Sequence, residues 1–237
     1  MKVFCLPFAG AGATVYRSWP ALPECDVHIV PLQLAGREER FAEAFYPDIE
    51  DAGREQVEAI LAQTADGELY AIFGHSFGAT LAFEVAHQLQ HRGASRLAHL
   101  LVSGAPAPHV PLGRDSLSLD DEMFVAQVEQ IAGYSHPALA DPDLRELVLP
   151  VLRADVVLHE SYRALRRQVL DVPITVFRGT ADHVVSEADS RSWAQWTTHP
   201  LRSVELPGGH MYLVDDPSAL IRCMAAAIGA VTTEGVA

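Results

Sequence analysis

Basic residues are scarce in this chain. Lys and Arg together number 17 against 31 Asp and Glu among 237 residues, which gives a formal net charge of −14 at pH 7. Proteins that bind the phosphate backbone of a nucleic acid carry clustered positive charge. The charge balance therefore argues against a nucleic acid as the partner.

Cysteines are also few, and they are widely spaced. Cys5, Cys25 and Cys223 are an odd number, and no two of them have the spacing of metal ligands. A small, dispersed set of thiols is typical of a reducing compartment rather than of a secreted domain held by disulfides. This pattern predicts a cytoplasmic protein.

Long hydrophobic runs are missing from both ends of the sequence. The apolar residues 219–231 include Arg222 and are too short to cross a bilayer. The segment after Lys2 imitates a signal peptide, but Pro7 and the glycine pair Gly10 and Gly12 do not fit an apolar helical segment. We therefore expect a soluble protein with no membrane partner.

What the sequence does contain is an ordinary globular composition with a regular alternation of elements. Hydrophobic residues make up 49% and charged residues 20%, which excludes a disordered or fibrous chain. Short apolar, β-branched runs alternate with longer helical patterns, as in βαβ units with a mainly parallel sheet flanked by helices. Strands are predicted at residues 2–6, 27–31, 69–73, 97–103, 174–178 and 203–206. Helices are predicted at residues 49–63, 77–92, 187–196 and 217–228.

One stretch departs from this alternation. Between residues 116 and 170 no strand-like run occurs, and helices are predicted at residues 120–131, 141–149 and 153–165. Helices inserted between two strands of such a sheet commonly form a lid over the site. We therefore expect residues 1–237 to form one α/β domain, with residues 116–170 as a helical lid insertion.

The strongest local motif is Gly74-His75-Ser76-Phe77-Gly78, which matches Gly-x-Ser-x-Gly. It lies between a predicted strand and a predicted helix, the context in which this motif presents a nucleophilic serine on a sharp turn. The flanking glycines suit a turn too tight for side chains. The alternative is a glycine-bounded turn whose serine only caps the helix.

A serine nucleophile needs a general base, and the base needs a carboxylate that orients it. In hydrolases with this motif the acid follows a late strand and the histidine follows the last one. Asp182 follows the fifth predicted strand and His210 follows the sixth. Asp115, after the fourth strand, is the alternative acid, whereas His183 does not follow the last strand. Ser76, Asp182 and His210 are therefore the predicted catalytic residues.

Three further histidines have other interpretations. His75 lies inside the motif and is predicted to pack or to hydrogen-bond there. His87 and His91 are four residues apart on a predicted helix, a spacing that can bind a metal. They lack the glutamate of His-Glu-x-x-His. We therefore expect a solvated helix face and no metal site.

Acyl transfer also needs two N–H groups that stabilise the oxyanion of the tetrahedral intermediate. One is predicted to be the backbone N–H of Phe77, directly after the serine at the start of a helix. The other should come from the glycine-rich loop of residues 8–12, after the first strand, and we predict the N–H of Ala9. The alternative is a plain strand–helix turn.

Together these segments resemble the type II thioesterases of polyketide and nonribosomal peptide synthases, which belong to the α/β-hydrolase superfamily. The likeness covers nearly the whole chain, and Gly-Arg-Glu-Glu-Arg-Phe at residues 36–41 is its most specific part. The family usually has proline at the position of Ala35 and Gly-Gly-Ser at residues 10–12, and often arginine near Ala105. The segments that carry the resemblance are residues 4–12, 31–41, 74–79, 103–104, 178–182 and 208–210.

This resemblance implies an α/β-hydrolase fold and a thioesterase that acts in antibiotic biosynthesis. Its substrates would be acyl groups on the phosphopantetheine arm of acyl or peptidyl carrier proteins, and its task would be to clear stalled or wrong units. Ser76 would form the acyl-enzyme with His210 as base and Asp182 as orienting acid. The resemblance implies no cofactor beyond the substrate's own phosphopantetheine, and a monomer.

Two other functions stay open at this point. A general carboxylester hydrolase would use the same triad on oxygen esters, because this fold and triad serve many substrates. A non-catalytic ligand-binding module on the same fold would be expected to lack part of the triad, all of which is present here.

Carrier proteins are generally acidic, so a thioesterase with net charge −14 would need a local basic patch to attract one. The candidates are Arg37 with Arg40, or Arg163 with Arg166 and Arg167. The alternative is that these arginines are solvated or pair with nearby glutamates.

Several large side chains are candidates for lining an acyl chamber. The alternative for each is ordinary core packing. The candidates are Trp19, Phe45, Met123, Phe124 and Tyr134.

Overall fold

A parallel sheet forms the centre of the molecule. The structure, a computed structural model, describes residues 1–93, 96–112, 115–133, 137–164 and 169–234. These residues form a six-stranded sheet in the order β2-β1-β3-β4-β5-β6, and every neighbouring pair is parallel. The strands are β1 (Lys2–Leu6), β2 (His28–Pro31), β3 (Tyr70–His75), β4 (Leu97–Ser103), β5 (Ile174–Gly179) and β6 (Arg202–Leu206).

The sheet is buried on both faces, as parallel sheets are. Side chains along β1 alternate between the faces: Phe4 and Leu6 pack into one large apolar cluster, and Val3 and Cys5 into another. This alternation follows from the two-residue period of a strand. All six predicted strands are confirmed. β3 runs on through Gly74 and His75 because both residues pair with neighbouring strands.

Helices cover the two faces of the sheet. Asp48 caps the helix that begins at Ile49 by accepting a hydrogen bond from the N–H of Asp51. The last helix begins at Pro217, as predicted. The last predicted helix before β6 divides into a short helix, Glu187–Arg191, and a 3-10 turn, Ser192–Trp196. The helices of the sheet layers are α1 (Thr14–Arg17), α2 (Ile49–Leu61), α3 (Phe77–His91), α7 (Glu187–Arg191), α8 (Tyr212–Asp215) and α9 (Pro217–Glu234). None of the helices in the described ranges combines the length and apolar character needed to cross a membrane.

The chain between β4 and β5 folds mainly into helices: α4 (Asp121–Ala132), α5 (Pro137–Ala140) and α6 (Pro142–Ser161). We call residues 116–170 the helical insertion. Its side chains form a small apolar cluster of their own, separate from the two clusters at the sheet: Phe124, Val125, Leu139, Leu149 and Leu152.

The prediction of two helices at residues 141–149 and 153–165 was wrong, because α6 is one continuous helix of 20 residues with Pro150 inside it. Proline removes a hydrogen bond and crowds the preceding turn, at a cost of about 3 kcal/mol. Leu149 and Leu152, on either side of Pro150, are both buried. Packing on both sides of the proline therefore holds the helix together.

One histidine is buried inside the sheet. His99 on β4 is only 2% exposed, and its Nε2 lies 2.9 Å from the hydroxyl of Thr175. Its Nδ1 has no hydrogen-bond partner among the described residues. Burial lowers the pKa of His99 from the ordinary 6.5 to about 4.

We expect His99 to make the fold sensitive to mild acid. The unfolded chain binds a proton at this residue below about pH 6.5, whereas the folded chain does so only near pH 4. Stability contributed by the neutral ring is thus present above pH 6.5 and lost as the pH falls toward 4. Between pH 7.5 and 5 the loss should be about 2 kcal/mol.

Urea unfolding at the two pH values measures this loss in the wild type and in His99→Gln. The variant should lose about 2 kcal/mol less than the wild type on acidification. Replacing His28, an exposed histidine on β2, serves as the matched control and should leave the wild-type difference unchanged. An identical pH dependence in wild type and His99→Gln would contradict the prediction.

Candidate active site

The predicted site residues gather at the carboxyl edge of the sheet. The chain runs from β1 outward to β2 and then returns to β3 on the other side of β1. In open α/β sheets, ligands bind at the carboxyl ends of the strands, at such a point of reversal. The loop that contains Ala9 follows β1, and Ser76 follows β3, so both lie at this point.

Ser76 lies on a sharp turn between β3 and α3. Its φ of 53° and ψ of −120° are strained for a residue with a side chain, a conformation that costs about 1–3 kcal/mol. A Cβ atom at Gly74 would overlap the backbone of Gly78, and one at Gly78 would overlap the carbonyl oxygen of Leu6. Both glycines of the motif are thus required by close backbone approach.

The interpretation of Ser76 as a helix cap is not supported. Ser76 occupies the position before α3, yet in the described part of the chain its hydroxyl makes no capping hydrogen bond. The hydroxyl instead lines a cavity together with His210. A strained turn that turns a hydroxyl toward a cavity is a typical way to present a nucleophile.

His210 and Asp182 form a buried pair. Nδ1 of His210 lies 3.0 Å from Oδ2 of Asp182, and both residues are less than 10% exposed. Because an ionised carboxylate only accepts hydrogen bonds, Nδ1 carries the proton and Nε2 is left as the basic atom.

The surroundings of the Asp182 carboxylate keep it ionised beside His210. Oδ1 accepts hydrogen bonds from the backbone N–H groups of Val184 and Val185 at 2.8 and 3.0 Å. Burial alone would raise its pKa, but the bond from His210 and these two N–H groups bring the pKa below its ordinary value. Asp182 therefore stays ionised beside the imidazole.

The alternative residues lie elsewhere. Asp115 is exposed just before the 3-10 turn Ser116–Ser118, and His183 is exposed beside the buried Asp182. His87 and His91 lie side by side on α3, with ring centroids 4.2 Å apart and ring planes inclined at 60°. Within the ranges the structure covers, no three metal-ligating side chains come together.

His75 packs and hydrogen-bonds, as predicted. Its Nδ1 lies 2.8 Å from the hydroxyl of Ser103, which in turn lies 2.6 Å from the hydroxyl of Tyr212. Its ring is fully buried, with its centroid 4.9 Å from that of His210. Burial, and then the neighbouring His210, hold the pKa of His75 well below 6.5, so His75 is a neutral support behind His210.

The two predicted oxyanion donors lie at the same edge. The N–H of Phe77 opens α3, and Ala9 lies in a turn closed by a 3.0 Å hydrogen bond from the N–H of Ala11 to the carbonyl of Phe8. Among the described residues, neither the N–H of Phe77 nor that of Ala9 donates to another protein group. Both are thus free to receive a bound oxyanion.

A cavity of about 430 Å³ extends from Ser76 beneath the helical insertion. Such a volume lies within the usual range of small-molecule sites. Its polar lining includes Glu38, Glu129 and His159, and its wall is otherwise mainly apolar. The apolar side chains that line it include Val15, Leu112, Val128, Ile131, Leu139, Val148, Leu152 and Val156.

Four of the five side chains proposed for this chamber, Trp19, Phe45, Met123 and Phe124, are not among the residues that line it. Trp19 packs against the cluster on one face of the sheet, and Phe124 is fully buried in the cluster of the helical insertion. Phe45 and Met123 are 40% and 58% exposed. Tyr134 lies outside the described residues. Aliphatic side chains, most of them on α4 and α6, line the cavity instead. In the sequence, these residues cannot be told apart from other apolar residues of an amphipathic helix.

Of the two interpretations of Arg37 and Arg40, the structure supports pairing with acidic side chains rather than a basic patch. Arg37 is 5% exposed and forms an ion pair with Asp155. Arg40 forms ion pairs with Glu43 and Glu55, so neither arginine presents an uncompensated charge.

Of the other candidate basic patch, only Arg163 is among the residues that the structure describes. Arg163 is exposed and donates a hydrogen bond to the backbone carbonyl of Glu160 at 2.6 Å. Arg166 and Arg167 lie outside the described residues.

Residues 1–228 match the family described as the thioesterase domain. A thioesterase named PikA5 from Streptomyces venezuelae is 33% identical over 215 residues, which cover 91% of this chain and 76% of that protein. The gramicidin S biosynthesis protein GrsT from Aneurinibacillus migulanus is 29% identical over 228 residues, covering 94% of this chain and 87% of that one.

The solved structures agree with this fold. RedJ, a thioesterase from the prodiginine biosynthetic pathway of Streptomyces coelicolor, superposes with a TM-score of 0.85 at 33% identity. The match covers 95% of this chain and 85% of RedJ. The predicted α/β-hydrolase fold is thereby confirmed.

Proposed function

Because this chain belongs to the thioesterase domain family, we propose that it is a type II thioesterase of a nonribosomal peptide or polyketide pathway. Its substrates are acyl groups held as thioesters on the phosphopantetheine arm of an acyl or peptidyl carrier protein. Relatives named for gramicidin S and prodiginine biosynthesis support the pathway. Ser76 and His210 line the same cavity, and Asp182 is hydrogen-bonded to the imidazole of His210. This arrangement is the observation that carries the proposal.

The first half of the reaction transfers the acyl group to the enzyme. Nε2 of His210 removes the proton of Ser76 as Oγ attacks the thioester carbonyl carbon. The carbonyl oxygen becomes an oxyanion that accepts hydrogen bonds from the N–H groups of Phe77 and Ala9. The carbon–sulfur bond then breaks, and the pantetheine sulfur leaves with the proton from His210.

The second half releases the acid. A water molecule gives a proton to His210 and attacks the acyl carbon bound to Ser76, and the same two N–H groups receive the second oxyanion. The bond to Oγ breaks, Ser76 recovers its proton from His210, and a free carboxylic acid departs. Asp182 holds the imidazole in one tautomer and stabilises its charge through both halves.

The helical insertion is the lid in this proposal, within a single domain formed by residues 1–237. It supplies α4 and α6, whose apolar side chains cover the cavity above Ser76. A lid of this kind shields the acyl-enzyme from bulk water and defines the room for the acyl chain.

Intact-mass measurement of a carrier protein loaded with an acyl phosphopantetheine tests the function directly. We expect wild type to return the carrier to the mass of its free thiol form, and Ser76→Ala to leave it acylated. A nitrophenyl ester is assayed in parallel and should react more slowly than the carrier thioester.

The parallel substrate separates the other functions. An intact acyl carrier beside rapid cleavage of the ester would replace the proposal with a general carboxylester hydrolase. Failure to cleave either substrate, with a folded protein, would favour a ligand-binding module.

A further inference from the structure

A buried ion pair connects the helical insertion to the loop of residues 8–12. The guanidinium of Arg37 meets the carboxylate of Asp155 on α6 in a two-pronged contact, with nitrogen–oxygen distances of 2.5 and 2.7 Å. Both side chains are at least 94% buried. Such fork-to-fork pairs fix orientation as well as charge.

Each partner of the pair also holds the backbone of this loop. Oδ2 of Asp155 accepts a hydrogen bond from the N–H of Gly10 at 2.8 Å, and Nη1 of Arg37 donates to the carbonyl of Ala11 at 3.0 Å. Gly10 has a φ of 77°, a conformation that glycine tolerates. The two contacts therefore secure the residues directly after Ala9.

Stability alone does not account for this pair. Desolvation of two buried charges offsets most of their attraction, so an apolar pair of similar volume often stabilises a fold as well or better. What apolar side chains cannot supply is an acceptor for the N–H of Gly10 and a donor for the carbonyl of Ala11. What the ion pair provides, and an apolar pair would not, is therefore a fixed position for the loop of residues 8–12.

We propose that Arg37 and Asp155 are positioning residues that hold the N–H of Ala9 in the geometry needed to receive the oxyanion. The inference rests on the proposed function, because it assumes that Ala9 is an oxyanion donor. It makes the helical insertion a participant in transition-state stabilisation, since Asp155 belongs to α6. The pair acts on the rate of the chemical step more than on substrate binding.

Two double variants separate position from charge. Arg37→Met with Asp155→Leu keeps the volume and removes every hydrogen bond to the loop. Arg37→Gln with Asp155→Asn also removes both charges but retains a donor for Ala11 and an acceptor for Gly10. Neither leaves an unpaired buried charge, so both are expected to fold.

The apolar double variant should lose about 10- to 100-fold in kcat on a small acyl thioester, with KM within about twofold of wild type. The amide double variant should recover most of that loss. Arg40→Met is the matched control: it breaks an ion pair in the same segment that does not touch residues 8–12. Its kcat should stay within about twofold of wild type.

Labelling of Ser76 by a fluorophosphonate, followed by intact-mass measurement, distinguishes a failure of the proposed function from a failure of the positioning role. This probe needs no carrier or acyl group, and its phosphoryl oxygen occupies the place of the oxyanion. If wild type is not labelled, the proposed function fails. If wild type is labelled and the apolar double variant, folded by circular dichroism, reacts equally fast, the positioning role is overturned while the function stands. Equal kcat losses in both double variants would also overturn it.

Discussion

Replacing Ser76 and His210 together by alanine should cost no more activity than replacing either one alone, about 10⁶-fold in kcat. In the proposed mechanism the nucleophile and the base act as one unit: without the base the hydroxyl stays protonated, and without the hydroxyl the base has nothing to activate. What activity is left comes from the oxyanion donors and from binding, and should remain about 10³-fold above the uncatalysed reaction.

The measurement is single-turnover release of the acyl group from a loaded carrier protein by Ser76→Ala, His210→Ala and the double variant. His183→Ala is the control, because His183 is an exposed histidine beside Asp182 and should retain wild-type activity. Additive losses, in which the double variant is slower than either single one by a further large factor, would show that the two residues do not act on the same step.

Asp182→Asn should lower kcat by about 10⁴-fold while the protein remains folded. The change preserves the shape of the side chain, but the amide can donate to Nδ1 and so favour the wrong tautomer of His210. It also removes the charge that stabilises the imidazolium. The N–H groups of Val184 and Val185 would still find an oxygen acceptor, which is why we expect the loop to keep its conformation.

Steady-state kinetics and thermal unfolding of Asp182→Asn test this together. Asp115→Asn is the matched control, since Asp115 follows the neighbouring strand β4 but is exposed. It should leave kcat unchanged. A large loss in Asp115→Asn with little loss in Asp182→Asn would reverse the assignment of the acid.

Much of the fold follows from short-range patterns in the sequence. A buried parallel strand needs a run of apolar residues, and each such run at β1 to β6 became a strand. The position of the candidate site residues could be predicted because each closely follows a strand, so the sheet places them at one edge. Elements of four residues, such as α1 and α8, were missed because they are too short to show a helical period.

What the sequence could not show depends on contacts across long separations. In the sequence Arg37 resembles a surface arginine, because its partner Asp155 lies 118 residues away along the chain. Pro150 predicts a break, and only the packing on both sides of it explains why α6 continues. The one available signal for Asp155 was its place between Leu152 and Leu158, the spacing of a buried helix face.

Leu152 contributes to two parts of the site, the cavity wall and the packing of the loop of residues 8–12. Its side chain forms part of the cavity wall, and it also lies against Gly10, where a Cβ atom would come within 3.0 Å of Leu152 Cδ1. A smaller residue at position 152 would therefore enlarge the cavity and also remove packing from the loop of residues 8–12. Under the proposed function, the choice of acyl group and the rate of the reaction would both depend on Leu152.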